Sequence, residues 1–257
     1  MKKTGEAEEA KEPEAAAPKE ERNIFWTPVT ELGRLVKEGK INDIDEILDN
    51  GKKIMEKEIV DVLLPGMESD LLLIGQSRGK FGGGKRRVFK QTQKKTKEGN
   101  KPHFATLAVI GNKDGYIGVG YGKAKETVPA REKAVRRAKL NLIKIRRGCG
   151  SWQCGCGQAH SIPFAVSGRC GSVRITLMPA PKGKGLIAEK EVQKVLAMAG
   201  IKDVWSQTEG QTRKKRNLIE ATVLALRALT EMKMREEDMA KLSCVSGKVQ
   251  PKVVIPE

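Results

Sequence analysis

The chain has 257 residues, a length that accommodates one large domain or two small ones together with terminal segments. Its 49 lysines and arginines exceed its 32 aspartates and glutamates, which gives a formal net charge of +17. The sequence lacks the roughly 18–20 consecutive apolar residues of a membrane span and the apolar stretch of a secretory signal. Five cysteines without such a signal argue against a disulfide scaffold. We therefore expect a soluble, cytoplasmic protein with a polyanionic partner.

The positive charge is concentrated in two blocks of the sequence. Residues 1–22 carry five basic and seven acidic side chains and little apolar surface, which predicts a disordered leader. Residues 75–101 carry a net charge of +9 and residues 131–147 carry +7, so these two blocks hold nearly all of the excess. Solubility alone requires less charge, and such blocks are typical of a surface that binds phosphate groups.

The first half of the chain predicts helices, then strands, then a long helix. β-Branched and aromatic residues are typical of strands, and the Asp114-Gly115 pair is typical of a hairpin turn. The predicted elements are a helical segment at 23–55, a short strand or helix end at 70–74, an extended segment at 88–97, strands at 104–110 and 116–121, and a helix from about 128 to 145.

The helix predicted at 128–145 has one apolar side and one basic side. At about 100° per residue, its apolar arc contains Ala134, Val135, Ala138, Leu142 and Ile145. Its opposite side contains Lys133, Arg136, Arg137, Lys144 and Arg147, with Leu140 as an apolar exception. A solvated face usually mixes both signs of charge, so this nearly uniform face favours contact with RNA.

The glycine-rich segment 118–124 precedes this helix and has two interpretations. It lacks the spacing of a dinucleotide-binding loop, and its Lys123 does not complete a P-loop motif. Glycines can bring backbone N–H groups close to an RNA phosphate at the helix N-terminus. They can equally allow a strand to pack tightly against a helix, and the two interpretations are compatible.

The second half of the chain predicts a β-β-α-β-α order. The predicted elements are two strands within 161–179, turning at 168–171, a helix at 188–199, a strand at 201–208 and a helix at 217–231. Basic loops at 179–185 and 210–217 each lead into a helix and suit contacts to an RNA backbone.

Cys149, Cys154, Cys156 and His160 form the one cluster that is typical of metal ligands. Three thiols and one imidazole match a tetrahedral zinc site, and Cys170 is an alternative ligand if the following hairpin folds back. The cluster lacks a Cys-x-x-Cys pair, which argues against a redox function. The other interpretation is a connector of reduced thiols, with His160 bound to RNA or to the backbone.

Four segments resemble the universal small-subunit ribosomal protein five family in its archaeal form, which is related to eukaryotic small-subunit ribosomal protein two. They are residues 25–36, 105–126 (with GNKDGYIGVGYGKAKE), 173–187 (with MPAPKGKGLI) and 199–204. The resemblance implies an α+β fold and a protein that binds ribosomal RNA in the small subunit. It also implies neighbouring ribosomal proteins four and eight, the messenger entry path nearby, and a contribution to subunit assembly and decoding accuracy.

The resemblance also implies a division of the chain. A helical extension at 23–57 precedes a double-stranded-RNA-binding-like β-β-β-α domain at 58–146. A cysteine-rich connector at 147–160 leads to an α+β domain at 161–232, and a tail follows at 233–257. The family's basic turn falls on Lys97, Gly99, Asn100, Lys101 and Phe104, with Pro102 and His103 in place of some of its arginines.

The basic residues of these segments are the predicted contacts to ribosomal RNA. They are Lys85, Arg86, Arg87, Lys94, Lys95, Lys97, Lys101, Lys123, Lys133, Arg136, Arg137, Lys144, Arg146, Arg147, Lys182, Lys184, Arg213, Lys214, Lys215 and Arg216. Neither His103 nor His160 has a paired carboxylate in the sequence, so we expect no enzyme. The alternatives are a free-standing double-stranded-RNA-binding protein or RNA chaperone, and a zinc-dependent RNA-modifying enzyme.

Overall fold

The structure, a computed structural model, describes residues 26–76 and 86–248 of the chain. The predicted leader and Lys85 lie outside these residues. Three short helices come first: α1 (Glu31–Lys37), α2 (Ile44–Asp49) and α3 (Lys57–Leu63). Thr30 caps α1, because its side-chain oxygen accepts a hydrogen bond from the Gly33 N–H at 3.1 Å. The predicted helical segment therefore contains two helices, and a third begins just beyond it.

An antiparallel sheet of five strands follows these helices. Its strands are β1 (Glu68–Leu72), β2 (Lys90–Thr96), β3 (Gly99–Gly111), β4 (Tyr116–Ala124) and β5 (Leu142–Lys144). β1 and β2 both pair with β3, β3 pairs with β4, and β4 pairs with β5. Because β3 pairs with β4 only from Phe104 onward, its first residues form a two-stranded ribbon with β2. We term residues 91–103 the hairpin arm.

Helix α4 (Thr127–Leu140) packs on this sheet and ends earlier than the sequence pattern predicts. Asn141 leaves the helical conformation, and the next three residues form β5 against the edge of β4. Pairing there satisfies backbone groups that β4 would otherwise leave without partners. Leu142 and Ile145 are buried, as the apolar pattern predicts, but neither belongs to the helix.

Three alternating glycines in β4 allow α4 to approach the sheet closely. Gly118, Gly120 and Gly122 share one face of the strand. A Cβ atom on Gly120 would lie 2.2 Å from the backbone nitrogen of Ala138, and one on Gly122 would lie 2.1 Å from the carbonyl oxygen of Ala130. Such distances leave no room for a side chain, so the structure supports the packing interpretation of this segment.

The C-terminal half contains a second sheet and two longer helices. These are β7 (Val166–Cys170), β8 (Val173–Pro179), β9 (Leu186–Ile187), β10 (Val204–Glu209), α5 (Lys190–Met198) and α6 (Lys215–Glu231). The strand order is β7-β8-β10-β9, with only β9 and β10 parallel. The β-β-α-β-α order is confirmed, with the short β9 as an additional strand. Gly168 lies inside β7 rather than in the predicted turn, which is formed at Gly171 and Ser172.

One hydrophobic core joins the two halves of the chain. Leu107 and Ile117 of the first sheet belong to the same buried cluster as Ile175, Leu196 and Leu226 of the second half. The remaining elements are β6 (Arg146–Arg147), α7 (Glu236–Lys241) and β11 (Val245–Ser246), and β11 pairs with β6. The mixed α+β class is confirmed. No helix among the described residues is long and apolar enough to cross a membrane.

Candidate metal centre and basic surfaces

Four metal-ligand side chains come together in the loop between β6 and β7. The ligand atoms of Cys149, Cys154, Cys156 and His160 all lie within 4.8 Å of one another. Cys149 Sγ is 3.7 Å from Cys156 Sγ, and Cys154 Sγ is 3.7 Å from His160 Nε2. Tetrahedral bonds of about 2.0–2.3 Å place sulfur and nitrogen ligands of zinc roughly 3.5–3.8 Å apart. The cluster can therefore hold a metal ion.

Backbone contacts close this loop and position its ligands. Gly148 and Ser161 exchange two hydrogen bonds of 2.9 Å, which join the two ends of the loop. Gly150 follows the first ligand and lies against Pro163, where a Cβ atom would be 1.9 Å from the carbonyl oxygen. Only glycine fits at this position, so the close approach of the two ends depends on it.

A buried carboxylate orients His160. Asp203 Oδ2 lies 2.8 Å from His160 Nδ1, and both side chains are almost fully buried. In the neutral tautomer that carries its proton on Nδ1, the ring donates to Asp203 and directs an unprotonated Nε2 toward the thiols, which is the form in which imidazole binds a metal. Sequence reasoning missed Asp203, because 43 residues separate it from His160 and no ligand spacing marks it.

The surroundings of Cys149 and Cys154 shift the pKa values of these two thiols in opposite directions. Backbone hydrogen bonds from Lys182 and Cys156 lower the pKa of Cys154 to about 6. Burial, together with the neighbouring cysteines, raises the pKa of Cys149 to about 11. Near neutral pH, Cys154 is therefore a thiolate and Cys149 is a thiol. A metal ion that binds both sulfurs displaces the proton of Cys149.

Cys170 is not an alternative ligand, which corrects the sequence prediction. It ends β7, and its thiol donates a hydrogen bond to Glu220 of α6 at 3.3 Å. The β7–β8 hairpin packs against α6, and Cys170 does not belong to the group of ligand side chains that cluster in the loop. Cys244 is a further free thiol outside the cluster, and burial raises its pKa.

The hairpin arm carries four exposed lysines of the predicted RNA contacts: Lys94, Lys95, Lys97 and Lys101. Lys94 lies directly opposite Lys101 in the β2–β3 register. Like charges at opposite positions destabilise a pair of strands, so this arrangement favours an anionic partner. The salt bridge from Lys101 to Glu98 at 2.8 Å is exposed at both ends and contributes little.

The outer face of α4 and its edge carry three further exposed cations, Lys133, Arg136 and Arg137, and Arg137 donates one hydrogen bond to the carbonyl oxygen of Tyr121 at 2.8 Å. Their spacing of three and four residues places Lys133 beside both arginines on the helix surface. Within the described part of the chain, no carboxylate forms a salt bridge with any of the three. A groove connects this face with the hairpin arm, and its charged lining is three lysines and one carboxylate, Lys123, Lys125, Lys133 and Glu126, next to His103. The two surfaces therefore form one basic region.

Arg147 is buried, which corrects its prediction as a phosphate contact. Its guanidinium lies 2.7 Å from the carboxylate of Asp114 and donates to the carbonyl oxygen of Gly247 at 3.0 Å. Only 5% of its side chain is exposed. This arginine holds the returning C-terminal strand to the first half of the fold and is not available to RNA.

The other predicted contacts differ in how freely their charges face solvent. Lys144 and Lys215 are half-buried and form ion pairs with Asp49 at 3.1 Å and Glu189 at 2.9 Å. Arg86 and Arg146 are half-buried as well. Arg216 is exposed but pairs with Glu220 at 2.9 Å and lies over the ring of Tyr121. The remaining members of the set are exposed: Arg87, Lys123, Lys182, Lys184, Arg213 and Lys214.

Comparison with known proteins identifies the family. The families described as "Ribosomal protein S5, N-terminal domain" and "Ribosomal protein S5, C-terminal domain" match residues 74–146 and 168–242. The chain belongs to the ribosomal protein S5 family. It is 51% identical over 210 residues to small ribosomal subunit protein uS5 of Nanoarchaeum equitans, covering 82% of the chain and 90% of the relative. The uS5 protein of Methanocaldococcus jannaschii is 47% identical over 224 residues, covering 87% and 96%.

Membership in the S5 family decides between the functions that the sequence leaves open. The chain is an S5 protein of archaeal type, and its relatives are uS5 proteins of the small ribosomal subunit. It is therefore a structural ribosomal protein and not an enzyme. This outcome confirms the resemblance seen in residues 105–126 and 173–187.

Proposed function

We propose that this S5 protein binds ribosomal RNA of the small subunit through the hairpin arm, the outer face of α4 and the groove between them. The observation that carries this proposal is the placement of Lys94 opposite Lys101, next to the exposed cations of α4. Phosphate groups would remove the repulsion between these lysines. An arginine such as Arg136 can hold a phosphate through two parallel hydrogen bonds, and Arg137 keeps N–H groups for a phosphate besides the one that contacts Tyr121.

This mode of binding depends on the shape and backbone of the RNA more than on its sequence. Double-stranded RNA displays phosphates and 2′-hydroxyls along a wide minor groove, which basic side chains can follow. In keeping with the family resemblance, we propose that residues 58–146 act as a double-stranded-RNA-binding-like unit. Residues 147–160 would then connect it to a second unit at 161–232.

We further propose that the metal in the cysteine cluster is zinc. Cys149, Cys154, Cys156 and His160 would supply all four ligands of a closed tetrahedral site, which is typical of structural zinc. The hydrogen bond from His160 to Asp203 is the outer contact that metal-binding histidines usually make. The ion would stabilise the folded loop and would neutralise its thiolates.

The place of the protein within the subunit is proposed on the family resemblance. We propose that it assembles in the cytoplasm beside ribosomal proteins uS4 and uS8 and near the messenger entry path. From there it would support assembly and decoding accuracy.

The RNA interface is tested by charge reversal in the full-length protein. The variant Arg136→Glu/Arg137→Glu should bind archaeal small-subunit ribosomal RNA more weakly, because two phosphate contacts become repulsive. The slope of log K against log salt should fall by roughly 1.8 in magnitude for two lost contacts. Lys52→Glu/Lys53→Glu, the same charge change at exposed positions outside the basic region, is the matched control. Equal losses of RNA affinity in both variants would show that binding depends only on the net charge of the protein, and they would contradict the proposed interface.

The metal is tested by elemental analysis of the purified, salt-washed protein. We expect one zinc ion per chain, and loss of zinc in Cys154→Ser. Cys170→Ser is the matched control and should keep its zinc, because Cys170 lies outside the cluster. Absence of zinc from the wild-type protein, together with normal folding of Cys154→Ser, would contradict the proposal.

A further inference from the structure

The carboxylate of Asp203 connects the cysteine cluster to a basic loop. One oxygen, Oδ2, contacts His160 Nδ1 at 2.8 Å. The other oxygen, Oδ1, accepts hydrogen bonds from the backbone N–H groups of Gly183 at 3.1 Å and Gly185 at 2.8 Å. These glycines belong to residues 181–185, which we term the lysine loop because its exposed side chains are Lys182 and Lys184.

Further contacts join the same two regions. The N–H of Lys182 donates to the sulfur of Cys154, and the Lys182 ammonium lies 3.0 Å from the side-chain oxygen of Gln158. The backbone N–H of Asp203 donates to the carbonyl oxygen of His160 at 3.2 Å. Two of the four metal-ligand side chains, Cys154 and His160, are therefore linked directly to the lysine loop or to Asp203.

The lysine loop has few other contacts that could fix its conformation. Gly183 and Gly185 have φ values of +89° and +73°, and no atom lies within 4 Å of a Cβ built on either. The other backbone hydrogen bonds of the loop are both long: the Lys184 N–H donates to the carbonyl oxygen of Pro181 at 3.3 Å, and the Val204 N–H donates to the carbonyl oxygen of Gly185 at 3.2 Å. Such a glycine-containing loop samples many conformations unless hydrogen bonds restrict it.

We propose that metal binding fixes the conformation of the lysine loop through Asp203, so that Lys182 and Lys184 contribute to RNA binding only in the metal-loaded protein. This inference rests on the metal site proposed above. A metal on Nε2 would hold the imidazole ring in place, so that Nδ1 stays beside Oδ2 of Asp203 and Oδ1 stays directed toward the glycines. Without the metal, the ring can rotate, and Asp203 loses the contact that orients its side chain.

Hydrogen exchange of the full-length protein tests the link without any substitution. Zinc-loaded and chelator-treated protein are compared at the amides of Gly183 and Gly185, with the amides of β3 as an internal reference. We expect exchange at the two glycines to be at least tenfold slower with zinc and unchanged in β3. Equal rates at the glycines, in protein that binds zinc normally, would overturn the inference and leave the metal site intact. A uniform loss of protection that includes β3 would also overturn it.

The variant Asp203→Asn separates the two roles of the carboxylate. An amide has one acceptor oxygen, so it cannot accept from His160 and from both glycines at once. We expect 10–100-fold weaker zinc binding, as for other lost outer contacts, and fast glycine exchange that zinc no longer slows. If this variant does not fold, the wild-type comparison still decides the inference.

RNA binding provides the functional readout. Lys182→Glu/Lys184→Glu should lower the affinity for archaeal small-subunit ribosomal RNA in the zinc-loaded protein at least tenfold more than in the zinc-free protein. Equal losses in both forms would refute control by the metal. If the wild-type protein binds no zinc at all, the metal site fails and the inference fails with it. If zinc binds but does not change the lysine loop, this inference is overturned while the proposed metal site stands.

Discussion

Substitution of Gly120 by alanine tests the close packing of β4 against α4. The added Cβ would lie 2.2 Å from the Ala138 nitrogen and 2.3 Å from the Ala134 carbonyl oxygen. Both atoms belong to the helix backbone, so relief requires that the whole helix move. Overpacking of this kind costs about 1–3 kcal/mol, and the lower chain entropy of alanine returns about 0.4–1 kcal/mol. Helix backbone moves less easily than a side chain does, so we expect the free energy of unfolding to fall by about 2 kcal/mol in total.

Urea denaturation, followed by circular dichroism, measures the free energy of unfolding. Gly66→Ala is the matched control, because no atom lies within 4 Å of a Cβ built on Gly66 and its φ is not positive. This substitution should leave the free energy of unfolding unchanged or raise it slightly. Ala138→Gly, combined with Gly120→Ala, should not restore stability, because the clash is with the backbone of Ala138. A change below about 0.5 kcal/mol for Gly120→Ala, or rescue by the second substitution, would refute close backbone packing as the role of the glycine.

Three further predictions address groups that the fold places in unusual surroundings. Arg147→Ala should lower the free energy of unfolding by about 2 kcal/mol, because it removes a part-buried ion pair with Asp114 and a buried hydrogen bond to Gly247. The salt dependence of RNA binding should not change, and a changed slope would restore Arg147 as a phosphate contact. Tyr116→Phe should cost about 1 kcal/mol in a urea titration, since the hydroxyl donates to Asp45 at 2.6 Å. In metal-free protein, iodoacetamide should modify Cys154 at a rate that rises through pH 6 and levels off by pH 8, because only the thiolate reacts. A rate that still rises above pH 8, measured by mass spectrometry, would contradict the lowered pKa.

The sequence alone predicts the order of elements well where periodicity is strong and local. The strands at 104–110 and 116–121 and the α6 region are correctly located, because alternation and helical spacing operate within each segment. The predicted C-terminal end of α4 is wrong, because the apolar period of the sequence continues through Leu142 and Ile145 although the helix has already ended. Pairing of β5 with β4 is a contact between distant parts of the chain, and it overrides the local pattern.

The candidate site shows the same division between local and distant information. Cysteine spacing is enough to predict the metal-ligand group, because all four ligands lie within one short loop. The contact from Asp203 depends on where β10 begins relative to that loop, which no spacing reveals. Charge counting also treats all arginines alike, although burial separates Arg147 from Arg136 and Arg137. Net charge therefore identifies an RNA-binding region, while only the fold identifies the residues available to RNA.

The shared core also indicates what the metal does not need to do. Buried side chains of both sheets, among them Ile117 and Leu196, form one continuous cluster, so hydrophobic packing already fixes the two halves relative to each other. The cysteine loop lies outside that cluster and contacts the lysine loop through Asp203 and Cys154. A metal bound there would, on the proposal made above, act mainly on the order of these surface loops. Loss of the metal should therefore weaken one part of the RNA interface while the hairpin arm and α4 keep their arrangement.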